Sequence, residues 1–174
     1  MNFCRKPRQL PIAGALPLFI GIVFLTILAR ASQNGEERFK SPDERVVAVV
    51  AAVGAENSES RVSIFSANGA PLRTHDFSSS DAEHGYAVDG AQWTRNSQYF
   101  VFRMRSSGGH SPMFAPVIFW SRKANRFYSL NSYTADQTFS VVGADQVKAS
   151  TWPDMHPATV SLRSVKKTAV TELP

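Results

Sequence analysis

An uncharged run of 20 residues, 10–29, constrains this chain more than any other feature. It holds one hydroxyl (Thr26), no ionisable group, and follows Arg5, Lys6 and Arg8. A helix of that length covers about 30 Å, the thickness of a bilayer's hydrocarbon core. Two readings fit. In one, residues 10–29 are an uncleaved transmembrane anchor, with the basic N-terminus kept in the cytoplasm. In the other, residues 1–31 are a secretory signal peptide, cleaved after Ala31 at the Ala29-Arg30-Ala31 site and leaving Ser32 first. The full length favours an anchor. Pro11 and Pro17 shorten the smooth helix to 16–29, the size of an ordinary signal core. Both readings bring residues 10–29 to a membrane and place the remainder on its periplasmic or extracellular side.

Charge divides the chain at the same point. The protein has 19 Lys+Arg against 14 Asp+Glu, a formal +5. Four of those basic residues (Arg5, Lys6, Arg8, Arg30) and none of the acidic ones precede Ser32, leaving 15 against 14. The basic pI belongs to the leader, and a nearly neutral remainder gives no footing for nucleic acid, which needs a basic patch on the folded domain. The single cysteine, Cys4, also lies in the leader, so the exported part is expected to fold without a disulfide.

Residues 32–45 (SQNGEERFKSPDER) are polar and read as a tether to a β-domain spanning 46–174. Beyond them, β-branched and aromatic residues come in short runs separated by Gly, Pro, Asn, Asp and Ser, the pattern of strands and tight turns. Strands are expected at 46–53, 60–66, 71–77, 88–94, 98–104, 115–121, 126–131, 137–142, 146–151 and 159–164. Asn68-Gly69 signals a type I′ hairpin, and residues 122–125 a looser one. In residues 98–104, Phe100, Phe102 and Met104 alternate with Tyr99, Val101 and Arg103. Aromatics on both faces predict cover on both sides, with Arg103 turned to water. The expected class is therefore all-β, with antiparallel sheets stacked as propeller-like blades or a sandwich, behind one N-terminal hydrophobic helix.

The sequence also echoes itself. Ser41-Pro42-Asp43-Glu44-Arg45-Val46-Val47-Ala48-Val49 aligns with Thr94-Arg95-Asn96-Ser97-Gln98-Tyr99-Phe100-Val101-Phe102, and Ile64-Phe65-Ser66 with Phe119-Trp120-Ser121. A third, poorer copy starts near Gly143-Ala144-Asp145-Gln146 and includes Val160-Ser161-Leu162. These segments resemble the S-P-D-G-(K/R)-x-(I/V)-A-(V/F) signature of WD-repeat-like and TolB-like β-propellers, over about residues 41–131. Glu44 and Ser97 replace the usual glycine. The resemblance implies blade-like units, but a closed ring takes about 4–8 blades, and the length after Ala31 suits about three.

No catalytic residue, metal ligand or cofactor is assigned from the sequence. Residues 106–112 form the most irregular insertion, and Gly108, Gly109, His110 and Ser111 are taken as a ligand-contacting loop. A hydrolytic use of His110 and Ser111 is the enzymatic alternative, although no nucleophile-elbow motif accompanies them. Residues 75–84 gather His75, Asp76, Asp81, Glu83 and His84, which suggests a metal-sensing alternative without EF-hand or zinc spacing. His156 reads as a loop residue. Of the aromatics, Trp93, Tyr99, Phe100, Phe102, Phe114, Phe119, Trp120, Phe127, Tyr128 and Tyr133 read as core rather than as a ligand groove. The functional expectation is a membrane-tethered or exported β-domain that binds or scaffolds proteins.

Residues 1–40 fused to a reporter active only outside the cytoplasm should give signal. Mass measurement of the native N-terminus separates the two readings: a chain beginning at Ser32 establishes cleavage, and one retaining residues 10–29 establishes the anchor.

Overall fold

The computed structural model describes residues 35–54, 56, 58–81, 83–108, 114–135 and 139–170. The fold is all-β and antiparallel. The leader, 1–31, lies outside the described residues, and among those residues no helix is long and apolar enough to cross a membrane.

Four strands, β1 (Glu36–Lys40), β2 (Val46–Val53), β3 (Glu59–Ser66) and β4 (Pro71–Asp76), form one meandering sheet. A second sheet begins with the meander β5 (Tyr86–Trp93), β6 (Tyr99–Ser106), β7 (Pro116–Ser121) and β8 (Arg126–Thr134). It continues into a third group, β9 (Ser140–Val142), β10 (Gln146–Thr151) and β11 (His156–Ser161). The nine-residue β8 splits its free edge: Tyr133 and Thr134 pair with β10, and Tyr128 and Ser129 with the short β12 (Thr168–Ala169). That divided pairing curls the second sheet into a nearly closed, barrel-like wall.

The core sits on both faces of β6 and β7. On one face, Val46, Ala48, Val62 and Ile64 of the first sheet meet Phe100, Phe102, Met104, Ile118 and Trp120. On the other, Val101 and Phe119 meet Leu130, Val147, Ala149 and Val160. All six residues of β7 are buried, as a strand covered from both sides requires. The alternation expected for residues 99–104 is present, with Phe100 and Phe102 sealed in one layer beneath Trp93, whose ring centroid is 5.2 Å from that of Phe100.

The echo in the sequence is an echo in hydrogen bonds. In the first turn the Ser41 N–H donates to Val46 O, the Glu44 N–H to Ser41 O, and the Val46 N–H to Ser41 Oγ. In the second, Thr94 N–H donates to Tyr99 O, Ser97 N–H to Thr94 O, and Tyr99 N–H to Thr94 Oγ1. Asp43 and Asn96 each accept from the hydroxyl two residues earlier. Glu44 (φ 57°) and Ser97 (φ 58°) hold the left-handed conformation that favours glycine, so the turn geometry survives the missing glycines. One further bond occurs three times: Ala67 N–H to Arg45 O, Arg122 N–H to Gln98 O, and Leu162 N–H to Asp145 O. The third segment, near residues 143–146 and 160–162, shares this strand-end bond.

Four expectations need correction. The 32–45 segment is not a tether throughout, because residues 36–40 are β1, paired along β2. One apolar residue suffices there: Phe39 packs on Phe100 at 5.4 Å, and its carbonyl accepts the Trp93 indole N–H at 2.8 Å. The β-domain thus starts by Glu36 and not at 46. The Asn68-Gly69 hairpin is present, but only Gly69 has positive φ (84°). With Gly69 N–H bonded to Ser66 O, and Ser66 N–H to Ala70 O, this is a three-residue type I turn with a bulge, not type I′. The final long strand is His156–Ser161 rather than 159–164, and Pro157 is accommodated because β11 is an edge. Arg103 does not simply face water: its Nη2 lies 2.9 Å from Asp89 Oδ2, and its Nε donates to Asp89 O.

Truncating Phe102 to Ala should cost about 3–5 kcal/mol by leaving a cavity between the sheets. Arg103→Ala should cost only about 1 kcal/mol, the worth of a partly exposed pair. Denaturation midpoints of the two variants check the order; equal losses would mean the strand faces are misassigned.

Candidate functional site

A buried carboxylate, unmarked by any motif, organises the loops at the far end of the sheets from the repeated turns. Glu59 opens β3 and is fully buried. Its Oε1 lies 2.7 Å from Ser79 Oγ, 2.7 Å from the Gly85 amide nitrogen and 2.8 Å from Ser107 Oγ, while Oε2 accepts the Ser79 N–H at 2.9 Å. Burial raises the pKa of this carboxyl, but the hydrogen bonds from Ser79, Ser107 and Gly85 outweigh it and hold Glu59 below its ordinary value of 4.5. It is an ionised group solvated by protein donors instead of water.

Two glycines make this cradle possible. A Cβ on Gly85 would lie 2.3 Å from Glu59 Oε1 and 2.7 Å from Phe77 O, so any side chain there would displace the carboxylate. A Cβ on Gly108 would lie 2.7 Å from Glu83 O. Gly108 is thus where the 106–108 loop presses against the 78–85 loop, and Ser107 N–H closes the contact on Gly85 O. Gly108 is the one member of the sequence-derived contact loop whose position is described; Gly109, His110 and Ser111 lie outside the described residues.

The cluster at 75–84 separates into independent roles. His75 is half-buried among aromatic rings, 4.5 Å from Phe77 and 5.9 Å from Phe127. Burial lowers its pKa, Arg73 lowers it further, and Asp76 opposes both. Asp76 is engaged by Arg61 and by Ser78. Asp81 Oδ2 meets His84 Nδ1 at 2.5 Å, and its other oxygen takes the Glu83 N–H, which does most to hold its carboxyl below the usual carboxylate range. The Ser79 hydroxyl lies 2.8 Å from the same Asp81 oxygen, joining this exposed pair to the Glu59 cradle. Among the described residues no three His, Cys, Asp or Glu side chains converge as a metal-ion cage. His156, expected in a loop, heads β11.

Half of the aromatic set is sealed core, namely Phe100, Phe102, Phe119, Trp120 and Phe127, while Trp93, Tyr99, Tyr128 and Tyr133 pack against it partly exposed. Trp152 is partly exposed and packs on Phe114 at 5.2 Å. Sequence reading missed Glu59 because a Glu at a strand start looks like surface; Gly85 and the serines at 78–80 were the only local signals. No known protein family, curated protein or solved structure matches the chain.

Glu59→Gln should lower stability by about 2 kcal/mol at neutral pH, since one accepting oxygen becomes a donor facing donors. A carboxyl whose folded pKa is depressed stabilises the fold above its unfolded value and loses that contribution on acidification. The wild type should therefore weaken as pH falls below 4.5, and Glu59→Gln should show a shallower slope. Urea midpoints across that range measure both effects.

Proposed function

We propose that this chain is a membrane-tethered or exported extracytoplasmic β-module, built of propeller-blade-like units, that binds protein partners rather than performing catalysis. The observation that carries this reading is the unequal finish of its outer sheet faces. Within the molecule, units bury apolar residues against one another on both faces of the second sheet. The outer face of the third group is polar, with Gln146, Lys148 and Thr159 exposed. A polar outer face is how a stack of repeats ends against water.

The outer face of the first sheet is mixed, polar along β3 and β4 at Arg61, Ser63, Thr74 and Asp76 but apolar along β2. Residues Val47, Val49, Ala51 and Val53 lie opposite the buried Val46, Ala48 and Val50 on β2, and Phe65 sits beside Val47 on β3. Val47, Ala51, Val53 and Phe65 stay half-exposed, flanked by Arg38 and Lys40 on β1 and the Arg61–Asp76 pair. An apolar stripe rimmed by charge is the composition of an interface. The occupant it fits best is another protein's β-sheet, presented face to face as the internal units are. Membrane tethering by residues 10–29 would hold this face near membrane-associated partners.

A photo-crosslinking residue in place of Phe65, in the native membrane, should give one discrete heterologous adduct. The same probe at Thr159 should give none, and Val47→Lys should abolish the Phe65 adduct without shifting the melting temperature. Equal capture at both positions, or capture insensitive to Val47→Lys, would refute the reading. An adduct of twice the chain mass would assign the face to a second copy.

A further inference from the structure

A large cavity opens on neither the Glu59 loops nor the apolar face. It is a cleft of about 660 Å³ between the second sheet and the third group, at the end where the repeated turns lie. Its floor is aromatic. Tyr128 stacks on Phe119 with centroids 5.5 Å apart, and Tyr99 meets the same Phe119 ring edge-on at 5.6 Å. Its rim is cationic: Lys123 from the β7–β8 turn, and Arg163 and Lys167 from the segment after β11, against the single carboxylate Asp145.

Among the described residues these three cations face one carboxylate in the cleft, Asp145. No salt bridge joins Lys123, Arg163 or Lys167 to a carboxylate among the described residues. Lys167 is nevertheless fixed in place. Its Nζ donates to Leu162 O at 3.1 Å and lies 5.2 Å from the Tyr128 centroid and 5.6 Å from that of Phe119. Asp145 is partly occupied by the Ser161 hydroxyl at 3.4 Å. The Tyr99 hydroxyl senses both signs: burial raises its pKa most, Asp145 adds to this, and Arg163 opposes it.

We infer that this cleft binds a small phosphomonoester, its dianion held between Lys123 and Arg163 and its ring or apolar body laid on Tyr99 and Tyr128. Three positive charges against one carboxylate leave the mouth cationic, which favours a group carrying about −1.5 to −2 at neutral pH over a monocarboxylate. Arg163 offers the planar donor fork that suits phosphate oxygens, and Lys123 a mobile point charge. The aromatic floor supplies the contact area that a free inorganic ion cannot use.

Calorimetric titration of the full chain, kept in detergent, with phenyl phosphate tests this. Phenyl phosphate should bind with a Kd of about 1 mM or tighter. Inorganic phosphate and benzoate should bind more weakly, phenol should give no heat, and 0.5 M salt should weaken the phenyl phosphate signal through screening. The double variant Lys123→Gln/Arg163→Gln should raise the Kd at least about tenfold, as loss of charge-assisted contacts does, with an unchanged melting temperature. Arg105→Gln, which removes a cation lining the separate cavity beside β1 and β5, should leave the Kd unaltered. No binding at about 10 mM phenyl phosphate, an unaltered Kd in the double variant, or phenol binding equal to phenyl phosphate would each overturn the assignment.

Discussion

Burial of β6 and β7 on both faces is the constraint on which the rest of the molecule depends. A domain of this kind has no disulfide among its described strands, so its net stability must come from apolar area removed from water. Phe100, Phe102, Met104, Ile118 and Trp120 serve one interface, while Val101 and Phe119 serve the other. Because the side-chain period of a strand is two, one run of aromatic and β-branched residues supplies both layers. A one-residue slip of β6 would exchange them and set Arg103 among the phenylalanines, so the register is strongly specified.

The two ends of the stack are fixed by different chemistry. At one end, repeated turns are closed by hydroxyls: Ser41 and Thr94 cap their own strand starts, and Asp43 N–H donates to Ser97 Oγ at 3.0 Å, linking the first sheet to the second. The Arg122 guanidinium reaches Asp43 at 2.6 Å, adding the β7–β8 turn to the same junction. At the other end, one buried carboxylate gathers two loops, 78–85 and 106–108. A charge without water is tolerated there only because each oxygen meets donors, and removing any of them exposes a desolvation cost. The proposed binding regions lie beside these rigid elements: the phosphate cleft next to the turn end, the apolar stripe on the outer face of the first sheet.

The internal repeat explains why a chain of this length can build three packed layers. Each unit reuses one bond pattern, and the left-handed residue after the turn is held by its hydrogen bonds even where the side chain is Glu or Ser. The units are not equal, however. The third group shares its edge with β8 through Tyr133 and Thr134 and presents a polar outer face. The first presents Val47, Ala51 and Val53.

Local pattern by itself determined ten of the strands to within a few residues, the hairpins, the facing of residues 99–104 and the repeat, because alternation and turn chemistry act between near neighbours. It could not show β1, whose EERFK sequence is polar and becomes a strand only when β2 offers an edge and Phe100 a surface for Phe39. Nor could it show the Glu59 cradle, since its donors stand 20, 26 and 48 positions away and the burial that makes them matter is a property of the packed sheets. The separation of His75 from His84, the pairing of Arg103 with Asp89, and the cationic cleft over Tyr99 and Tyr128 were likewise decided by tertiary structure. Each depends on which distant backbone comes within hydrogen-bonding or van der Waals reach, and that is set only when the sheets close on one another.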